Sequence, residues 1–581
     1  MAFVLLHVSL LAAALLSIPY FLGDFAAYQF GLYLIYGMAA QGIGFLWGKT
    51  GVLPLGQAMF FGVAAYAMGI ALRDVDGLLV QLALGVAILL VIAGFAYILA
   101  TLVFKGRSDS GPYFSLITLA LAMIAEQLSG SFPNITGGFN GLSGFDSLAG
   151  LDPFGSFYYV IVAASVGVTF MLLVLDRLPV CLIAKAVNDN EPRMQLLGFP
   201  THVIKGLAFA FSAAIAAIAG GLFASHQGIV TPTSTGFALS AELVILTAVG
   251  GRFHVFGPLL GAVFFGWAAS EFRDSFAYWE LLLAVVFIVV VLKAPGGLAE
   301  LLKSAFNKIL PHRTKANITT YTAPPARYAR TSESLKFDDV YLQIGVVKIL
   351  NGVDFETPKS GIVSIIGPNG AGKTTILNTI TGNFSVSKGK IQLGTQEIQS
   401  RPSYGALSVG IGRKLQIPSV FFSMSVAENL SIAMMAGRAR TLDYFKLSTL
   451  GWRGDGLTKI LANPTVPLAN NIEKAVQFLP QGHRQFLEFA MTVATDPSTL
   501  LLDEPCAGLS PQETMLMTEL VKEFQDTTDG LVIIIEHDMS IVEAISDKVL
   551  VLHQGRVLAY ASYREIKSDP AVQAVYAGDT K

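Results

Sequence analysis

From Leu78 to Phe104 the sequence contains no charged residue, and the same holds for Gly155–Leu175. A helix needs about 20 such residues to cross the hydrocarbon core of a bilayer. Gly206–Ala241 is a longer uncharged stretch, divided by Gly220-Gly221 and by Thr231-Pro232-Thr233. Phe3–Leu22, Gly31–Trp47, Tyr113–Leu128, Phe253–Ala269 and Leu281–Leu292 are further apolar segments. Val52–Leu72 is apolar too, but Gly and Pro punctuate it, which predicts a broken or short helix. Together they predict an N-terminal polytopic α-helical membrane domain of about eight to ten segments. Met1–Leu22 lacks a basic start and a clear cleavage site, so it reads as a retained helix rather than a signal peptide.

This character ends near residue 293. The chain has 39 Lys and Arg and 41 Asp and Glu; 24 of these 80 lie between Met1 and Leu292, and 56 in the remaining 289 residues. The second half is therefore water-like. Within residues 294–334, the stretch up to Arg330 carries Lys303, Lys308, Arg313, Lys315, Arg327 and Arg330 against one acid, Glu300, and is interrupted by Pro295-Gly296-Gly297 and Pro324-Pro325. It reads as a basic juxtamembrane helix followed by a linker, the charge expected of a cytoplasmic flank. The expected organisation is a membrane domain over 1–293, this connector over 294–334, and a soluble domain over 335–581. A net charge of −2 argues against a nucleic-acid partner. Two cysteines, Cys181 and Cys506, exclude a disulfide framework.

Inside the membrane half, small residues such as Gly42, Gly44, Ala213-Ala214 and Gly220-Gly221 allow helices to approach closely. Glu126 and Glu242 lie in or beside apolar segments, where an unpaired dry charge costs at least a few kcal/mol. Each can line a pathway or brace a helix end.

The soluble half carries recognisable chemistry. A short apolar strand, Gly361–Ile366, runs into Gly367-Pro368-Asn369-Gly370-Ala371-Gly372-Lys373-Thr374-Thr375, a phosphate-binding P-loop in its strand–loop–helix setting. The glycines let backbone N–H groups surround phosphate oxygens, and the helix N-terminus adds partial positive charge. Lys373 is placed for the β- and γ-phosphates of ATP and Thr374 for Mg²⁺. Thr499–Asp503 reads as a strand buried on both faces, ending in Asp503 for Mg²⁺ and Glu504 for polarising water. Leu531–Ile535 is another such strand, followed by Glu536-His537-Asp538. His537 can cap the next helix or contact the γ-phosphate, and the order of the three motifs favours the phosphate. The predicted fold is an α/β P-loop NTPase.

These motifs give residues 335–578 a resemblance to the ATP-binding cassette (ABC) ATPases. The family's signature helix begins Leu-Ser-Gly-Gly-Gln, and the corresponding run here is Leu479-Pro480-Gln481-Gly482-His483-Arg484-Gln485. The resemblance implies that Gly482 helps to bind nucleotide on a partner's P-loop, with Pro480 removing the usual serine hydroxyl. It also implies that Gln416, in Gly412-Arg413-Lys414-Leu415-Gln416, is the catalytic and Mg²⁺-contacting glutamine, and that Ala507-Gly508-Leu509-Ser510 is the D-loop. The usual adenine-stacking aromatic is missing. By register its place falls to Ile344, with Tyr341 on the other face.

The tail, with His553-Gln554-Gly555, Asp569-Pro570-Ala571-Val572 and Val575-Tyr576-Ala577-Gly578, resembles ATPases of branched-chain amino acid and urea uptake. The Gly412–Gln416 form leans toward the urea and short-amide branch. Tyr113–Ala120, Thr136–Leu142 and Glu242–Gly261 resemble the permease of the same uptake family. The resemblance implies an importer subunit with permease and ATPase fused, in the bacterial inner membrane with its ATPase in the cytoplasm. The implied partners are a second permease and ATPase, a periplasmic binding protein, a small polar or zwitterionic solute and membrane lipid. The polar stretch Ala184–Pro200 takes the place of the coupling helix. An exporter half-transporter is the alternative, disfavoured by many short Gly-rich segments without charged stalks.

Overall fold

The computed structural model describes residues 2–105, 111–272, 278–294, 296–309, 320–328 and 331–578. They form two compact units. Met1–Asn188 and His202–Ala316 make the first; Asp189–Thr201 and Asn317–Lys581 make the second.

The first unit is helical. Its apolar helices are Ala2–Leu22, Asp24–Thr50, Gln57–Asp74, Leu78–Phe104, Gly111–Ser131, Phe157–Leu175, Thr201–Gln227, Phe237–Gly250, Gly257–Phe272 and Trp279–Lys293. Among the described residues, 6 helices are long and apolar enough to span a membrane. Helix Asp24–Thr50 packs against Phe157–Leu175, Phe237–Gly250 and Gly257–Phe272. Its glycines permit this: Gly37 lies against Leu259 and Gly44 against Pro258, each too close for a side chain. Buried polar groups pair between helices, as they must where no water competes. Gln41 donates to Thr169 Oγ1 and to the Val255 carbonyl, each at 3.0 Å, and Gln57 donates to the Ser212 carbonyl at 2.9 Å. Helix Leu78–Phe104 instead turns Leu79, Leu90, Val91 and Leu102 outward.

One expectation from the sequence is corrected here. Thr201–Gln227 continues unbroken through Gly220-Gly221. A bilayer helix satisfies its own backbone, so paired glycines serve as a contact surface, and Gly220 lies directly on the Phe61 carbonyl. The division falls later, where strand Ile229–Val230 and the turn Pro232–Thr235 precede helix Phe237–Gly250. Val52–Leu72, expected as a broken or short helix, is the short one: its irregular part ends at Gly56, and Gln57–Asp74 is one 18-residue helix. Of the two membrane carboxylates, Glu126 lies against Gly236 at that turn, while Glu242 is exposed on Phe237–Gly250. In the connector, Gly297–Ile309 is a helix; Arg313, Lys315 and Arg330 lie outside the described residues.

The second unit is built on a six-stranded sheet in the order Arg556–Ala561, Lys548–His553, Gly361–Ile366, Leu531–Ile535, Thr499–Asp503, Ile411–Lys414. The pairs are parallel except at the Arg556–Ala561 edge. Strands Gly361–Ile366, Thr499–Asp503 and Leu531–Ile535 are buried along their whole length, which explains their continuous apolar runs. A four-stranded antiparallel sheet, in the order Val347–Glu356, Leu335–Ile344, Lys388–Leu393, Gln396–Glu397, joins the same core. Residues from the connector also belong to this unit, since Tyr321–Thr322 pairs in parallel with Trp452–Arg453.

Candidate functional site

Ligands of open parallel sheets collect at the carboxyl ends of the strands, and this sheet sends its chemistry there. Strand Gly361–Ile366 leads through the P-loop into helix Lys373–Ile380. Gly370 and Gly372 have φ of 79° and 102°, a left-handed backbone that glycine adopts without strain. Lys373 is buried, and its Nζ donates to the carbonyls of Gly367 at 2.7 Å and Pro368 at 3.0 Å. Burial lowers the affinity of that amine for its proton, opposed by Glu504 and Asp503. Asn369, Gly370 and Thr374 are exposed along the loop, Pro368 and Thr375 are half-buried, and Ala371 is packed beneath.

Two contacts tie the other motifs to this loop. Thr374 Oγ1 donates to Asp503 Oδ1 at 3.4 Å. His537 Nε2 is 3.0 Å from Glu504 Oε1. Asp503 is 1% exposed, and burial raises its carboxyl pKa, opposed chiefly by the Arg413 guanidinium 3.7 Å away. Glu504 has φ of 46°, unusual outside glycine, and its N–H donates to the Ile535 carbonyl at 3.0 Å. That bond fixes it beside the strand that presents His537. The helix after His537 is capped by Asp538, which accepts from the Ser540 N–H at 2.8 Å. His537 is therefore not the cap.

The remaining candidates sit on other elements. Lys414 is opposite Leu502 in the sheet, so Gln416, exposed two residues later, follows the strand beside Asp503. Gly482, in the first turn of helix Gln481–Ala494, packs against Glu513, whose Oε1 lies 2.7 Å from where a β-carbon would stand. Pro480 occupies the N-cap of that helix without a side-chain hydrogen bond, whereas Ser425 and Ser510 cap theirs fully. Ile344 is 45% exposed, and Tyr341 lies under the Lys388 ammonium instead.

Sequence reasoning missed a buried charge cluster beside this site. Arg193, Arg413, Lys414, Glu488 and Asp503 are all nearly inaccessible. Arg193 lies in the short helix Glu191–Leu196, within the Asp189–Thr201 segment that packs as part of the second unit. Its guanidinium donates to the Arg413 carbonyl at 2.8 Å, Glu488 Oε1 at 3.3 Å, the Glu488 carbonyl at 3.4 Å and Thr492 Oγ1 at 3.0 Å. Glu488 Oε1 also accepts the Leu415 N–H at 3.0 Å, and Lys414 Nζ is 3.9 Å from its Oε2. Arg413 donates to Asn378 and Thr381, each at 2.8 Å. The available signal was Glu488 standing alone in the apolar run Phe486-Leu487-Glu488-Phe489. A charge in such a place needs a buried partner.

A P-loop, a strand-end Asp-Glu pair and a following His on one parallel sheet define an ATP-hydrolysing cassette. Residues 350–507 match the family model described as ABC transporter, and residues 26–292 match branched-chain amino acid transport system / permease component. The chain belongs to the ABC transporters of the branched-chain amino acid type, with permease and ATP-binding components in one polypeptide. The high-affinity branched-chain amino acid transport ATP-binding protein LivG of Escherichia coli is 33% identical over 249 residues, 42% of this chain and 98% of LivG. BraF of Pseudomonas aeruginosa, of the same description, is 32% identical over 255 residues, 42% of this chain and 98% of its own. Among solved structures, the ADP conformation of MJ1267, an ATP-binding cassette of an ABC transporter, matches at 26% identity and a TM-score of 0.37. That match covers 43% of this chain and 100% of MJ1267.

Proposed function

We propose that the chain is an importer subunit for branched-chain amino acids, driven by ATP and working in the bacterial inner membrane with a periplasmic binding protein. A second permease and ATPase complete the complex. The observation that carries the ATP chemistry is the pairing of Thr374 with Asp503 and of Glu504 with His537 at the carboxyl ends of neighbouring strands. The permease match and the branched-chain relatives support the solute class.

The residues fit Mg²⁺. Asp503 Oδ2 is buried without a hydrogen-bond partner, beside the Thr374 hydroxyl. Among the described residues no cluster of three His, Cys, Asp or Glu forms a metal cage. That suits a cation held mainly by phosphates, with a single protein carboxylate and neutral side-chain oxygens. Thr374, Asp503 and Gln416 would hold it, and it would neutralise charge on the β- and γ-phosphates. Lys373 exchanges its loop carbonyls for phosphate oxygens, while loop N–H groups bind the remaining ones. Glu504 orients and polarises the attacking water, and His537 holds Glu504 and approaches the γ-phosphate. Gly482 acts on the nucleotide of the partner cassette. The Ala184–Pro200 segment carries the closure of the ATPases to the membrane helices.

Uptake of labelled leucine into vesicles bearing the complex and its binding protein tests this reading. Uptake should require ATP and be lost in Lys373→Ala. Uptake of urea in place of leucine would reassign the solute to the small amides. ATP hydrolysis stimulated by lipophilic compounds without a binding protein would replace the importer with an exporter.

A further inference from the structure

The charge cluster around Arg193 joins three elements that lead to the nucleotide site. One guanidinium reaches strand Ile411–Lys414 through the Arg413 carbonyl and helix Gln481–Ala494 through Glu488 and Thr492. The strand runs on to Gln416, and the side chain of Arg413 lies beside Asp503. The helix starts at Gly482's turn. The third element is the Asp189–Thr201 segment itself, fastened near Arg193 by further bonds. Asn190 caps its helix by accepting the Arg193 N–H at 3.0 Å and donates to Ser419 Oγ at 3.0 Å. Asp189 accepts the Ser423 N–H at 3.0 Å.

A buried ion pair of this kind is a poor source of stability, because desolvating both charges offsets their attraction. A hydrophobic pair would hold the segment as well. A hydrophobic pair would not, however, tie the Arg413 carbonyl, the Glu488 carboxylate and the Thr492 hydroxyl to one side chain, as the donors of a guanidinium do. Glu488 in turn holds the Leu415 N–H, the peptide next to Gln416. The placement of Arg193 thus sets the spacing between the helix of Gly482 and the strand that carries Gln416 and the counter-charge of Asp503.

We propose that Arg193 is a positioning residue for ATP hydrolysis, its guanidinium locking helix Gln481–Ala494 to the strand that leads to Gln416. The proposal rests on the reading of Lys373, Asp503 and Gln416 as the ATP site. It goes beyond the coupling expected of Ala184–Pro200, because it assigns the effect to one charge and its geometry.

The test uses the full chain, purified with its subunits, in three variants: Arg193→Met, Arg193→Lys, and Arg193→Met combined with Glu488→Met. Basal ATP turnover, KM for ATP and thermal melting are measured. Arg193→Met should lower kcat by roughly tenfold or more, with KM within about twofold. It should also melt earlier, since Glu488 loses a counter-charge. The double variant should recover the melting temperature and not the turnover. Arg193→Lys keeps the charge without the fork and should lose turnover about threefold or more with the fold intact. Wild-type kcat in the double variant or in Arg193→Lys would overturn the proposal, leaving the pair a structural contact. So would losses of kcat and KM that track melting in all three. Should Arg193→Met fail to fold, the other two variants decide. Lys373→Ala distinguishes the underlying reading: wild-type turnover there would refute the site, and failed leucine uptake would refute only the solute.

Discussion

Glu504 is held in a backbone conformation that costs about 1–3 kcal/mol for a residue with a side chain. Its φ is 46°, and the bond from its N–H to Ile535 fixes it there, with its carboxylate against His537. Glu504→Gln keeps this geometry and removes the base. Turnover should fall about a hundredfold or more, while ATP affinity, read by fluorescence titration, stays near wild type. Two residues on, Cys506 tests the electrostatics of the same loop. Burial, with the adjacent Glu536 carboxylate, pushes its thiol up to about 12. Since the thiolate is the reactive form, maleimide labelling at neutral pH should be roughly a hundredfold slower than for a free exposed thiol. Glu536→Gln removes the repelling charge and should speed labelling; an unchanged rate would show that Glu536 has no influence on the thiol.

Elements were most legible where the chemistry is consecutive in the chain. The P-loop, the Thr499–Asp503 strand and the Leu531–Ile535 strand each lie within one short stretch, and burial on both faces leaves them an unbroken apolar signature. The Arg193–Glu488 contact spans 295 positions, so no local pattern announces it. Helix ends were less legible, since Gly31–Trp47 was read from apolarity alone while the helix runs from Asp24 to Thr50. Gly220-Gly221 misled for a different reason: in water such a pair breaks a helix, and in lipid it is a packing face. Gly220→Ala should therefore overpack the contact with Phe61 and destabilise the membrane unit by about 1–3 kcal/mol. Gly94→Ala, which meets open space, should be neutral or slightly stabilising. Melting of the two variants in detergent separates these outcomes.

At the scale of the whole molecule, the complex proposed above would set this chain's one P-loop and one altered signature against the cassette of a different partner chain. Its two nucleotide sites are then built from unlike parts. One combines Lys373, Asp503 and Glu504 of this chain with the signature of the partner. The other combines the partner's P-loop with Pro480, Gly482 and His483 of this chain. Pro480 offers no hydroxyl and caps its helix without a side-chain bond. His483 is partly buried, which lowers its affinity for a proton. It therefore supplies less positive charge to a facing phosphate than an open histidine would. The site that depends on Pro480 and His483 should be the slower of the two. Lys373→Ala should abolish most ATP turnover of the complex, and the matching substitution in the partner should cost much less. Pro480→Ser should raise the contribution of the slow site, seen as higher residual turnover in the Lys373→Ala background. Equal losses from the two lysine substitutions would mean that both sites work at the same rate, whatever their signatures.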